Sequence, residues 1–181
     1  MELKADAQIP FPRALVYETY RDRLPELVPY LPDIASIEVE SREDQVDGQP
    51  GKSRLVNRWR AKGDDVPKVA QAVIKPEMLA WLDHAVWNAE AWSCDWRIET
   101  QMFTDNVRCH GHNVYEEREG ITTLRIRGEL DVSLSGVPGV PKFLASRVAP
   151  HVEKYIVRLL TPNLLAVASG LEKFLKDQSD R

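Results

Sequence analysis

The chain has 181 residues, 43% of them hydrophobic and 29% charged, with a formal net charge of −4. That is enough chain for one domain with a full core or a core enclosing a cavity, and the charge balance lacks the basic stripe of a nucleic-acid binder. No run of about 18 apolar residues occurs, the opening MELKADAQ lacks the apolar centre of a signal peptide, and two cysteines make no disulfide framework. The expectation is a cytoplasmic protein with no nucleic-acid partner, no stable membrane insertion and no cofactor.

Residues 2–9 (ELKADAQI) alternate, with Leu3, Ala5, Ala7 and Ile9 on one side, and predict a first strand. Pro12 suits the first position of a helix, PRALVYETYRD, ending near Asp22. A second short helical piece, LPELVPYL, follows. Strand signals return in IASIEVES, where Ile37 and Val39 alternate with Glu38 and Glu40, and a turn at Asp47-Gly48 leads into a third strand, KSRLVNRWRAK. Residues 67–75 read as one or two helical turns, and four long alternating strands come after Pro76.

Those four strands can be set against each other, because hairpin turns fix register. A turn at 88–91 (NAEA) places Trp87 opposite Trp92 and Asp83 opposite Trp96. A turn at Thr104-Asp105 places Trp96 opposite Asn113, and one at 117–120 (EREG) places Asn113 opposite Leu124. One face then collects Trp81, Asp83, Ala85, Trp87, Trp92, Cys94, Trp96, Ile98, Cys109, Gly111, Asn113, Tyr115, Leu124, Ile126, Gly128 and Leu130. The other collects Arg97, Glu99, His110, His112, Arg125, Arg127 and Glu129. A wide apolar face on a sheet needs a cover.

The cover is the last long element. From Pro150 to Lys176, a step of about 100° per residue puts Val152, Ile156, Leu159, Asn163, Val167, Gly170 and Phe174 on one stripe. At about 1.5 Å per residue this helix spans roughly 40 Å, with a bend expected at Pro162. The order is β-αα-ββ-α-ββββ-α, an α+β chain.

This layout resembles the START/Bet v 1-like (SRPBCC) superfamily. The likeness is carried by ADAQIPFPRALVYETYRD, by the pair of short helices after the first strand, and by VPGVPKFLASRVAPHVEKY running on into EKYIVRLLTPNLLAVASGLEKFL, which look most like uncharacterised bacterial members. It implies a helix-grip fold, a curved antiparallel sheet wrapped around a long C-terminal helix. It further implies that residues 1–181 form a single domain, the last few disordered, whose cavity holds a lipid, sterol-like, polyketide-like or other apolar molecule.

Candidate chemistry is sparse. His110-Gly111-His112 with Glu116 echoes a cupin metal motif without its glycines or its second half, and it falls on the water-facing side, where a solvated charge ladder and no metal site is expected. His84 facing Asp95 reads as a surface pair. Arg54, Arg58 and Arg60 find partners in Glu38 and Glu40. Cys94 and Cys109 face inward but not each other, so both are expected to be free and buried.

The expected ligand-binding residues are Asn57, Trp59, Trp81, Asp83, Trp87, Trp92, Trp96, Asn113, Tyr115, Ile126, Ile156, Leu159, Asn163 and Val167. The tryptophans either pack a core or line a cavity. Asp83, Trp96, Asn113 and Asn163 either satisfy one another or await a ligand's polar end. Gly111, Gly128 and Gly170 mark inward positions of close approach.

Three functions fit this pattern: a carrier or sensor of a hydrophobic small molecule, a polyketide cyclase/aromatase-like enzyme, and a protein-interaction module of the co-chaperone kind. No catalytic residue is assigned beyond Asp83 as a weak candidate acid or base. Val137, Val140 and Phe143, in the segment Ser135–Phe143, either gate the cavity or touch a membrane during ligand exchange, or simply cap the core. Oligomeric state is not readable.

Overall fold

The computed structural model describes residues 1–64, 79–101, 106–132, 151, 154 and 166–180. The expected helical turns at 67–75, the segment Ser135–Phe143, the bend at Pro162, and Ile156, Leu159 and Asn163 lie outside them.

Seven strands form one antiparallel open sheet: β1 (Glu2–Ile9), β2 (Ile34–Asp44), β3 (Lys52–Ala61), β4 (Ala80–Asn88), β5 (Ser93–Thr100), β6 (Val107–Arg118) and β7 (Ile121–Val132). The spatial order is β1-β7-β6-β5-β4-β3-β2. Helix α1 (Arg13–Asp22) follows β1, with Pro12 just outside it as the N-cap, one residue earlier than expected. A 3₁₀ segment, Leu24–Tyr30, stands where the second short helix was predicted. Residues 166–179 are helical, as are His151 and Lys154.

Every strand of the meander shows the predicted faces. Trp81, Ala85, Trp87, Cys94, Trp96, Cys109, Asn113, Tyr115, Leu124, Ile126 and Leu130 are buried, as are Ser53, Leu55, Asn57 and Trp59 on β3. The pairings themselves differ from expectation by two residues in each hairpin. Trp87 faces Cys94, Trp96 faces Gly111, and Asn113 faces Ile126. Because strand side chains alternate with period two, an offset of two changes partners and keeps faces. Val39 departs from the pattern and is exposed, since the register shifts between Val39 and Ser41 where β2 bulges at the sheet edge.

The C-terminal helix turns Val167, Ala168, Leu171, Phe174 and Leu175 into the core. It sits on the 3₁₀ segment. A Cβ at Gly170 would come 3.0 Å from Leu31 Cδ2, the ring of Phe174 meets Tyr30 edge-on at 5.9 Å, and the Tyr30 hydroxyl donates to Asp177 at 2.6 Å. Glycine at 170 is thus a packing requirement, as the sequence indicated.

Candidate functional site

The antiparallel pairing of β3 with β4 stacks four inward rows: Trp59 with Trp81, Asn57 with Asp83, Leu55 with Ala85, and Ser53 with Trp87. The rings of Trp59 and Trp81 lie nearly parallel, 5.9 Å apart at 14°. Strand β5 continues the rows with Ile98 beside Asp83, Trp96 beside Ala85 and Cys94 beside Trp87.

The indole of Trp96 lies across β6 and β7. A Cβ at Gly111 would fall 2.4 Å from its Cζ2, and one at Gly128 would fall 3.1 Å from its Cη2. These two glycines therefore exist to let a ring of the same sheet lie flat on the backbone. The ring is held there by its N–H, which donates to Asn113 Oδ1 at 2.8 Å in a buried hydrogen bond.

Between these rows and the helices is a cavity with about 60 Å³ in which the centre of a water molecule can lie. Its described lining is Tyr20 from α1, Trp59 from β3, Trp81, Asp83, Ala85 and Trp87 from β4, Cys94, Trp96 and Ile98 from β5, Cys109 and Asn113 from β6, and Val167 from the C-terminal helix. The described surface is overwhelmingly apolar, with Asp83 the one carboxylate among the described lining residues.

Asp83 is surrounded by protein, yet its side chain keeps accessible surface, because that surface opens onto the cavity. Burial pushes its carboxyl up from 3.8 to about 7, and nearby Asn57 and Trp59 offset part of that by favouring the charged form. The Trp59 N–H is not closed into a hydrogen bond of ordinary geometry, and neither are Asn57 Oδ1, the Trp87 N–H or the Tyr115 hydroxyl, all four buried. Buried polar atoms are nearly always satisfied, so four orphans, two of them on the lining residues Trp59 and Trp87 and two just behind the lining, are a departure from a finished core.

The other titratable groups of the described lining are uncharged at neutral pH. Burial holds the Tyr20 hydroxyl well above its usual value, helped by the charge of Asp83. Burial also raises the Cys94 thiol far up and the Cys109 thiol to about 12. Both cysteines are free.

Of the residues expected at the site, Trp59, Trp81, Asp83, Trp87, Trp96, Asn113 and Val167 meet at this cavity. Asn57, Tyr115 and Ile126 face the same way but stand behind the lining. Trp92 does not join the sheet face. It closes the loop between β4 and β5 with a left-handed φ of 50°, which sends its ring to α1, edge-on to Tyr17 at 5.3 Å and under the Arg13 guanidinium at 4.3 Å. Asp83, Trp96 and Asn113 were expected in one row. They occupy three successive rows, and Trp96 and Asn113 meet diagonally.

Ala85, Cys94, Ile98 and Cys109 also line the cavity, placed by sequence on the inward face but not at the site, and Tyr20 lines it without having been expected to face inward at all. The spacing of Val16, Tyr17 and Tyr20 on α1 carried the signal, one helical turn placing all three on one side.

On the outer face the two-residue offset also re-pairs the charges. His84 bonds Glu99 at 2.9 Å instead of facing Asp95, and Asp95 takes His112 at 2.7 Å. Glu116 pairs with Arg125, so His112 and Glu116 of the cupin-like spacing are engaged in a solvated ladder. Arg58 bonds Glu40, and Arg54 reaches Glu43 beyond the expected partners.

This geometry has solved relatives. The chain matches TTHA0849 from Thermus thermophilus with a TM-score of 0.67 and 22% identity, over 99% of both chains. It matches the Zhui aromatase/cyclase from a Streptomyces species with a TM-score of 0.64 and 16% identity, over 97% of this chain and 95% of that one. It also matches Ara h 8.0201 at a TM-score of 0.56 and 15% identity, over 98% of each chain. The chain has the Bet v 1-like helix-grip fold. No protein-family model matches the sequence, and no curated protein matches it either. At such identities the likeness establishes architecture, and function has to be argued from the cavity.

Proposed function

We propose that this Bet v 1-like chain binds a hydrophobic small molecule in the cavity between its sheet and its C-terminal helix. The observation that carries the reading is the void itself, ringed by Trp59, Trp81, Trp87 and Trp96 around one carboxyl, with buried polar atoms beside it left unpaired. Protein interiors are normally close-packed and hydrogen-bonded, so an open, half-satisfied centre in an otherwise filled core is better suited to a guest than to stability alone. A protein-interaction module would call for a contiguous apolar patch outside. Among the described residues the exposed large apolar side chains are Met1, Leu15, Val39 and Ile121. Among the described residues no helix is long and apolar enough to cross a membrane.

The test is native mass spectrometry of protein purified from its own host. A bound small molecule released by organic solvent is the expected result. Ligand-free protein whose tryptophan fluorescence ignores a panel of apolar ring compounds would overturn the reading.

A second reading, an acid–base enzyme of the polyketide cyclase/aromatase kind, is favoured by one observation. Asp83 titrates at about 7 inside the cavity, where an acid or base is most effective at neutral pH. A solved structure of the same fold is named an aromatase/cyclase. Turnover of a bound ketone, with a pH–rate profile that loses its step near 7 in Asp83→Asn, would establish this reading. Absence of turnover by protein that binds the ketone would remove it.

A further inference from the structure

The charges of the cavity's described lining are one-sided. That lining holds a carboxyl and no lysine, arginine or histidine, and the titratable groups nearest Asp83 are Tyr20 from α1, Cys94 from β5 and Cys109 from β6. The described helix residue facing it is Val167. A ligand carboxylate would therefore enter beside Asp83 with no cation among the described lining residues to receive it, and like charges in a dry site are strongly unfavourable.

A ligand cation meets the opposite situation. The Asp83 carboxyl itself opens onto the cavity, with Asn57 behind it as its cross-strand partner. The next row is the Trp59–Trp81 stack, whose ring faces attract cations. An ammonium brings three donors to a carboxylate, which is acceptor-only once ionised.

Size narrows the choice further. The space open to the centre of a water molecule, about 60 Å³, is compact and suits one ring or a fused pair of rings.

We propose that the cavity selects flat aromatic molecules bearing a protonated amine and rejects their carboxylate counterparts, with Asp83 as the residue that reads the charge. This rests on the cavity being a ligand site. When Asp83 is in its acid form, binding the ammonium releases one proton to solvent and leaves a carboxylate–ammonium pair. The ammonium gives up hydration on entry, so only the surplus appears as affinity.

The probes are indole, tryptamine and indole-3-acetate, titrated calorimetrically at pH 8, where Asp83 is mostly ionised and tryptamine remains a cation. Tryptamine should bind at least about tenfold more tightly than indole, a factor corresponding to about 1.4 kcal/mol, and indole-3-acetate more weakly than indole. Asp83→Asn should erase both differences and retain indole. The wild-type ratios are decisive even if that variant fails to fold. Indole-3-acetate binding as tightly as tryptamine, or a preference that survives in Asp83→Asn, overturns the proposal. Equal binding of all three overturns charge selection and leaves the ligand-cavity reading standing. Binding of none overturns charge selection, and the native mass spectrum then decides whether the cavity reading falls with it.

Discussion

The carboxyl of Asp83 makes stability depend on pH in an unusual direction. In the folded chain it titrates at about 7, against 3.8 for an ordinary aspartate, because burial disfavours its charged form. The folded state thus holds a proton that the unfolded chain releases, so the stability present below pH 4 is lost as pH rises through 7. Each pK unit is worth about 1.4 kcal/mol, which puts the full loss near 4 kcal/mol at pH 8 and near 0.6 kcal/mol at pH 4. Cavity water relieves part of it, so about 2–4 kcal/mol is the expected range.

Other groups titrate too. Asp6, Asp22, Glu26 and Glu40 are held below their usual values by arginine partners and lose their contributions toward acid pH. The clean quantity is therefore a difference between proteins. Urea unfolding of the wild type and Asp83→Asn at pH 4 and pH 8 should show the variant gaining about 2–4 kcal/mol relative to wild type between the two pH values. An unchanged difference would mean that Asp83 ionises as freely in the fold as outside it, and the account of its burial would be wrong.

Three further outcomes follow from the same geometry. Gly111→Ala places a Cβ 2.4 Å from both the Arg127 carbonyl oxygen and the Trp96 ring; since backbone cannot yield cheaply, urea unfolding should show a loss of about 1–3 kcal/mol. Ala85→Leu fills the cavity floor between Asp83 and Trp87, and calorimetric titration with indole should show at least about a tenfold loss of affinity while the protein stays folded. Cys94 and Cys109, with thiols raised by burial, should react with a disulfide reagent at pH 8 only after urea unfolds the chain; rapid labelling of native protein would contradict their placement.

How much of this was legible in the sequence depends on which property is asked for. Alternation alone placed the inward residues of β3 to β7 correctly, because facing has period two and tolerates a slip of two. Pairing does not tolerate it. The β6–β7 hairpin was read as a four-residue turn at EREG. The chain instead turns in two residues, Glu119 and Gly120, with φ of 54° and 77°, the left-handed pair that matches the twist of the strands. Neighbours such as Asp83 with Ile98, or Trp96 with Gly111, become known only once such turns are known.

The cavity belongs to this second kind of information. Along β3 and β4 the bulky rows, Trp59 with Trp81 and Ser53 with Trp87, stand at the two ends. The shorter rows, Asn57 with Asp83 and Leu55 with Ala85, lie between them. Large side chains at both ends hold the covering elements away, and small ones in the middle leave the space unfilled. A tryptophan-rich face read without its register is equally a packed core. The same tryptophans, placed at the ends of a row of small residues, have no partner to fill the middle. What decides between core and cavity is therefore the order of side-chain sizes across paired strands, and at Asp83 that order leaves a carboxyl facing space.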